Sequence, residues 1–121
     1  MLEAAIIGQK GERAAVSFLR RKGFVIRELN WRRGRYEVDI IAERWGVLHF
    51  VEVKCRKAGG WSSPEEAYTP HKFAALSRAA AAYMGIHAFR GEHQFDLVAV
   101  ETSDSEVSEI RYTERVMQQQ W

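Results

Sequence analysis

The spacing of apolar positions changes along the chain, and these changes divide it into helices and strands. Residues 3–22 carry an apolar stripe that includes Ala15, Val16 and Leu19 and stop at Gly23, as an amphipathic helix does. Beyond it, short runs rich in Val, Ile and Phe alternate with turn residues, a pattern typical of strands. The elements predicted after the first helix are strands over 24–29, 37–43 and 47–54, a helix over 69–84, and strands over 95–101 and 106–112.

Turn and capping residues separate these elements. Residues 44–46 predict a hairpin between the second and third strands, and residues 30–36 are predicted as a basic turn. Thr69 is suited to cap the second helix, with Pro70 at its first position. The order α-β-β-β-α-β-β predicts an α/β protein with a central mixed β-sheet flanked by helices, forming a single domain over 1–121.

Four charged residues interrupt the two apolar strands of the hairpin. Glu37 and Asp39 stand in the first of these strands, and Glu52 and Lys54 stand in the second. Charged side chains are almost never fully buried unless they are paired or bind a metal. The four residues therefore require a chemical explanation.

The geometry of a hairpin relates these four residues. Because strand side chains alternate between faces, Glu37 shares a face with Asp39, and Glu52 shares one with Lys54. A symmetric two-residue turn places Asp39 opposite Glu52 and Glu37 opposite Lys54, whereas an odd-length loop or a bulge would separate them. Opposed carboxylates repel, and either a raised pKa or a divalent cation relieves the repulsion. The alternative is a solvated edge hairpin with Glu37 and Lys54 as a cross-strand ion pair.

Metal-assisted hydrolysis of a phosphodiester is a chemistry that fits this set. Carboxylate oxygens suit Mg²⁺, which keeps several waters and binds substrate phosphate. Lys54 cannot ligate a metal while protonated, but it can hydrogen-bond an attacking water or neutralise phosphate charge. Glu12 lies on the stripe of the first helix, so its carboxylate points toward the sheet or, at the edge of the stripe, to solvent. The acidic residues considered for the metal are Asp39, Glu52, Glu37 and Glu12.

Basic residues are concentrated in one part of the chain. The net charge of +2 does not by itself demand a polyanion as partner. Residues 20–35, however, hold seven basic residues and one acidic residue, and 101–109 is acidic. This asymmetry indicates a side that faces a polyanion, with a solvated charged surface as the alternative. The candidates for nucleic-acid contact are Arg32, Arg33, Arg35, Arg56, Lys57 and Lys72.

Several classes of protein are disfavoured by the same sequence. There is no apolar stretch long enough to span a bilayer, and the N-terminus lacks the order of a signal peptide. Cys55 is the only cysteine, so no disulfide can form within the chain. We therefore expect no membrane association and a cytoplasmic location.

In their order and spacing, these residues resemble the PD-(D/E)XK nuclease superfamily, which has the restriction-endonuclease-like fold. More closely, the chain is similar to the bacterial YraN-like family of predicted endonucleases, distant relatives of archaeal Holliday junction resolvases. The matching stretches are residues 8–15, 29–32, 37–42 and 50–56, then Lys72 and 95–98. Two positions depart from the family pattern: Tyr36 stands where the family usually has Gly, and Gln94 where it usually has Arg.

The resemblance implies a three-layer fold with a helix on each face of a mixed sheet. It also implies that Asp39 and Glu52 are ligands of Mg²⁺ or Mn²⁺, helped by the Val53 carbonyl, with Glu12 as an accessory ligand. Lys54 would orient the attacking water or stabilise the transition state.

The leading hypothesis is a Mg²⁺-dependent nuclease acting on DNA, including branched or structured DNA. One alternative is a nucleic-acid-binding module of the same fold without activity on its own. Another is a protein-interaction domain in which the charges form structural ion pairs. Because cutting both strands usually needs two sites, the nuclease hypothesis favours a homodimer, although nothing in the sequence shows its interface.

Overall fold

The computed structural model describes residues 2–60 and 62–116, with side chains from residue 8 onward. It begins with helix α1 (Leu2–Arg21), followed by strands β1 (Val25–Arg33), β2 (Tyr36–Arg44) and β3 (Val47–Lys57). A short 3-10 helix (Pro64–Ala67) precedes helix α2 (Pro70–Ile86), and strands β4 (His93–Ser103) and β5 (Glu106–Thr113) complete the chain. The predicted order of elements is confirmed.

A five-stranded mixed sheet forms the middle layer, in the order β1-β2-β3-β4-β5. Only β3 and β4 run parallel, and α2 makes the crossover that a parallel pair needs. One core lies between the sheet and α2 and includes Phe50 and Leu97. The other lies under α1 and includes Leu19 and Val51. Neither helix in the described ranges has the length and apolarity that crossing a bilayer requires.

The β2–β3 hairpin has the symmetric turn that the sequence predicts. Trp45 and Gly46 both have positive φ, 54° and 76°, as in the two-residue turns that match strand twist. The register runs from Arg44↔Val47 to Ile40↔Val51.

The prediction of a basic turn over 30–36 is wrong. Strand β1 continues to Arg33, which pairs with Tyr36, so only Gly34 and Arg35 form the turn. The end of β1 is exposed and arginine-rich, so its side chains carry no apolar alternation although its backbone still pairs.

A local irregularity turns two neighbouring residues of β2 toward α1. Val38 and Ile41 both pack under α2 although they are three residues apart, so the alternation of faces shifts between them. Asp39 and Ile40, which lie between them, line a groove on the α1 side. The β1–β2 ladder pairs Leu29 with Ile40 and Trp31 with Val38 but does not pair Asn30 with Asp39. Asn30 has a φ of 51°. This irregularity brings Asp39 to the α1 side of the sheet.

Helix α1 approaches β3 closely at Gly11, where a Cβ would lie 2.3 Å from the Cys55 Sγ atom. We expect Gly11→Ala to destabilise the protein, because overpacking costs about 1–3 kcal/mol and exceeds the gain in helix propensity. In a Cys55→Ala background the same change should be stabilising by roughly 1 kcal/mol. Urea unfolding of the four proteins measures the coupling, and an equal effect of Gly11→Ala in both backgrounds would contradict the close contact.

Candidate active site

The candidate site lies where β2 separates from β3. The ladder between the two strands ends at Ile40↔Val51. One residue further, the Asp39 carboxylate accepts a hydrogen bond of 2.8 Å from the backbone N–H of Val53. A side chain thus replaces the missing strand pairing and fixes Asp39 against the segment that carries Glu52 and Lys54.

The Asp39 and Glu52 carboxyl groups form a close acidic pair. They are near enough to share a hydrogen bond when one of them is protonated. Burial, and then the charge of Glu52, raise the pKa of Asp39 from 3.8 to about 7, and the opposing effects of the Val53 N–H and of Lys54 are smaller. The predicted proximity of Asp39 and Glu52 is confirmed, although no ladder pair joins them.

Lys54 supplies the positive charge of this site. Its Nζ atom lies 3.4 Å from Glu52 Oε2, and the two side chains are 20% and 17% exposed. The site therefore contains one ammonium and two carboxyl groups. When both carboxyl groups are ionised, its net negative charge favours a further cation.

The predicted pairing of Glu37 with Lys54 is wrong. Strands β2 and β3 have already separated at this point, and Glu37 turns to the neighbouring strand β1. Its Oε2 atom lies 3.6 Å from a guanidinium nitrogen of Arg32, and the side chain is 61% exposed. Glu37 therefore stands apart from the acidic pair, and we omit it from the proposed ligands.

Glu12 and Asp39 line one groove of about 630 Å³. Helix α1 packs mainly over β3, β4 and β5 and less over β1, which leaves the sheet beside it open to solvent at Leu29 and Asn30. The charges of Glu12 and Asp39, after burial, raise the pKa of Cys55, which places both acids near that thiol. We call this feature the α1 groove; it is lined by Gln9, Glu12, Arg13, Val16, Ser17 and Arg20 from α1 and by Leu29, Asn30, Asp39 and Ile40 from the sheet.

The acidic pair fits a hard divalent cation. Mg²⁺ is usually bound through one or two carboxylates and keeps waters or substrate phosphate as its other ligands. Asp39 and Glu52 supply such a donor pair, with Glu12 in the same groove as Asp39. Within residues 2–60 and 62–116, no three His, Cys, Asp or Glu side chains form a ready metal-binding group. Asp39 and Glu52 could therefore hold one cation as a pair of carboxylates.

The predicted nucleic-acid contacts are all exposed, but they lie in more than one place. Strand β2 begins and β3 ends at the same end of the sheet, so Arg33, Arg35, Arg56 and Lys57 all lie at the end where β2 and β3 separate. Arg32 is held by Glu37. The backbone N–H of Lys72 donates to the cap Thr69, so Lys72 sits in the first turn of α2, across the sheet from α1.

The sequence interpretation missed the polar wall of the α1 groove. Arg13 and Arg20 are seven residues apart, a helical spacing that places both on one face, but nothing in the sequence showed what that face borders.

The sequence interpretation also missed Tyr68, a buried residue whose hydroxyl has no hydrogen-bond partner in the described part of the chain. Burial, and then the charges of Glu52 and Asp96, raise the pKa of Tyr68.

Comparisons with known proteins agree on one family. The model of the uncharacterised protein family UPF0102 matches residues 11–100. A UPF0102 protein of Bacteroides fragilis is 39% identical over 100 residues, 83% of each chain. One of Bacteroides thetaiotaomicron is 40% identical over 100 residues, also 83% of each chain. One of Chlorobium phaeobacteroides is 39% identical over 106 residues, 87% of this chain and 84% of its own.

Proposed function

The chain belongs to the uncharacterised protein family UPF0102, and we propose that it is a Mg²⁺-dependent nuclease that hydrolyses phosphodiester bonds of DNA, including branched or structured DNA. One observation carries this proposal. The Asp39–Glu52 pair is held at a split between two strands, with the Lys54 ammonium beside it. The resemblance to the YraN-like predicted endonucleases supports the same reading.

Each residue of the site has a role in that chemistry. Asp39 and Glu52 would hold the cation, with Glu12 reaching the same groove from α1. The metal, when bound, would polarise a phosphoryl oxygen and favour ionisation of a water. The Val53 N–H fixes the Asp39 carboxylate by its 2.8 Å hydrogen bond. Lys54 is placed to orient the attacking water or to neutralise charge developing on the phosphate.

The direct test is cleavage of plasmid, linear duplex and four-way-junction DNA. We expect hydrolysis of at least one of these with Mg²⁺ or Mn²⁺ and none with EDTA, because the carboxylate pair needs a cation to accept a phosphate. Gel electrophoresis with time measures the products. Absence of cleavage on all three substrates in both metals would contradict the proposal.

Metal binding can be tested without turnover. Mg²⁺ at about 100 times its dissociation constant should stabilise the wild-type protein by about 2.7 kcal/mol, seen as a higher Tm. Asp39→Asn should lose this shift because it removes one of the two anionic ligands. Asp104→Asn, which alters an exposed aspartate in the β4–β5 turn, is the matched control and should keep it. An equal shift in Asp39→Asn and wild type would remove Asp39 from the ligands.

A nucleic-acid-binding module without chemistry is the second candidate. It is favoured by the lack of a ready group of three metal-ligating side chains in residues 2–60 and 62–116. Such a module would bind DNA with a strong dependence on salt and without dependence on Mg²⁺. Salt and Mg²⁺ titrations of DNA binding, read beside the thermal shift, distinguish it from the nuclease.

A further inference from the structure

We propose that the α1 groove binds one unpaired DNA strand and leads it to Asp39, the member of the acidic pair that lines the groove. The inference rests on the proposed function for the identity of the polymer. It adds that the strand is unpaired where it contacts the protein, and that Arg13 and Arg20 bind its phosphates.

The wall of the groove has the charge for a phosphate backbone. Arg13 and Arg20 both line it and are exposed, about 10 Å apart along the helix axis. Neither forms a salt bridge with any residue that the structure describes. The hydroxyl of Ser17 lies on the wall between them. Two guanidinium groups without an ion-pair partner among the described residues, in the groove that Asp39 also lines, can each bind a phosphate of one strand.

The floor of the groove has the surface for base faces. Leu29 is 50% exposed there, with Ile40 beneath the same groove and Val16 on its wall. A duplex presents phosphates, sugars and base edges, while its base faces stay stacked inside. Proteins that bind single strands instead combine a basic groove with side chains, most often aromatic, against which the faces of unstacked bases lie. An exposed apolar side chain beside arginines therefore favours an unpaired strand over a duplex.

The backbone is distorted at the point where floor and acidic pair meet. Asn30 has a φ of 51°, and the β1–β2 ladder skips its pairing with Asp39. This distortion places Leu29, Asn30, Asp39 and Ile40 together on the α1 side. Backbone conformations of this kind persist where the surrounding structure imposes them, and they concentrate at functional sites. The Asn30 amide also offers a donor and an acceptor for a base edge.

The exposed basic residues outside the groove fit this inference. Arg33, Arg35, Arg56 and Lys57 lie at the end of the sheet where β2 and β3 separate. They can contact duplex phosphates that lie beside an unpaired strand. A junction between duplex and single strand would thus engage both surfaces.

The test is the affinity for labelled DNA in EDTA, where no hydrolysis occurs. The probes are a fluorescein-labelled 20-nucleotide strand and the blunt duplex of the same length, followed by fluorescence anisotropy at low salt. We expect the single strand to bind at least about tenfold more tightly than the duplex. Comparable affinities, a preference for the duplex, or no binding of either probe would overturn the inference.

Charge and apolar variants locate the binding surface. Arg13→Glu/Arg20→Glu should weaken single-strand binding by at least about tenfold. The matched control Arg78→Glu/Arg90→Glu makes the same charge change at two exposed arginines outside the groove. Equal losses in the two double variants, with folding verified by circular dichroism, would overturn the assignment of the groove.

Two exposed apolar residues of β1, one in the groove and one outside it, test the role of the apolar floor. Leu29→Ser should weaken single-strand binding roughly threefold to tenfold, whereas Val25→Ser, at a residue 56% exposed on the same strand, should not. Equal effects of the two changes would overturn the role of the floor. Because all of these measurements are made in EDTA, they are independent of cleavage. If the protein cleaves DNA but does not show this binding, only the inference about the groove is contradicted. If it shows this binding but does not cleave DNA, only the proposed nuclease function is contradicted.

Discussion

Replacing Lys54 with alanine is expected to lower the rate of DNA cleavage by about 10²–10⁴-fold. The Lys54 ammonium lies 3.4 Å from Glu52 and its side chain is 20% exposed, so alanine removes the positive charge beside the acidic pair. It would act on the attacking water or on the phosphate, which makes its loss an effect on turnover. Single-turnover cleavage at saturating Mg²⁺ measures that rate.

Metal binding should respond in the opposite direction. Without the ammonium, Asp39 and Glu52 present more uncompensated negative charge, so Lys54→Ala should bind Mg²⁺ at least as tightly as the wild type. The thermal shift with Mg²⁺ is therefore retained, whereas Asp39→Asn loses both the shift and cleavage. This difference separates a residue that acts on substrate from one that holds the cation.

Lys22→Ala is the matched control, because Lys22 is an exposed lysine just after α1 that does not line the α1 groove. It should leave the rate within a small factor of the wild type. If Lys54→Ala cleaves as fast as the wild type, Lys54 has no role in the reaction. If it loses the Mg²⁺ shift together with cleavage, Lys54 supports the site structurally.

The sequence predicted the part of this site that follows from regular geometry. A two-residue turn fixes the β2–β3 register, and strand alternation places Glu52 and Lys54 on one face. The apolar stripe of α1 left Glu12 either toward the sheet or at the solvent edge, and the structure places it in the groove that Asp39 also lines. Each of these inferences needs only the repeat of a helix or a strand, which the spacing of apolar side chains shows.

What the sequence did not predict depends on departures from that geometry. Asp39 lines the α1 groove because the alternation of faces shifts where the β1–β2 ladder skips the pair of Asn30 and Asp39, and no apolar pattern marks such a shift. Glu37 was misplaced because β2 and β3 separate beyond Ile40↔Val51, so that Glu37 pairs with Arg32 of β1 instead of Lys54. The α1 groove exists because α1 covers only part of the sheet. Where a helix lies across a sheet is not visible in the apolar pattern of the helix or of the strands.

A polar cluster in the core was also beyond the sequence interpretation. Gln94, which stands where the family usually has Arg, is buried, and its Nε2 atom donates to Asp96 Oδ1 at 2.9 Å. His49 lies with Nδ1 2.5 Å from Asp96 Oδ2. The role of this cluster is therefore structural support of β3, β4 and the chain after β5.

Asp96 is the centre of that cluster, and its replacement should have the largest effect on stability. Its side chain is fully buried and also accepts from the Tyr112 hydroxyl at 2.5 Å and from the Arg115 N–H at 3.0 Å. Asp96→Asn keeps the side-chain volume but replaces one of two accepting oxygens with an NH₂ group, which can only donate. We expect the free energy of unfolding to fall by about 3–5 kcal/mol, as when one partner of a buried charged network is removed. Asp104→Asn, at an exposed aspartate, should change it by less than about 0.5 kcal/mol.

The loss should depend on pH in a defined direction. Burial acts to raise the pKa of Asp96, but the hydrogen bonds from His49, Tyr112, Arg115 and Gln94 outweigh it and hold the pKa below 3.8. A carboxylate with a lowered folded pKa stabilises the fold above its unfolded pKa, and this contribution disappears as the pH falls through the folded value. The difference between wild type and Asp96→Asn should therefore be greatest near about pH 7 and shrink toward about pH 3. Urea unfolding of both proteins across this range measures it, and a difference that stays constant with pH would show that the stabilisation does not come from the charge of Asp96.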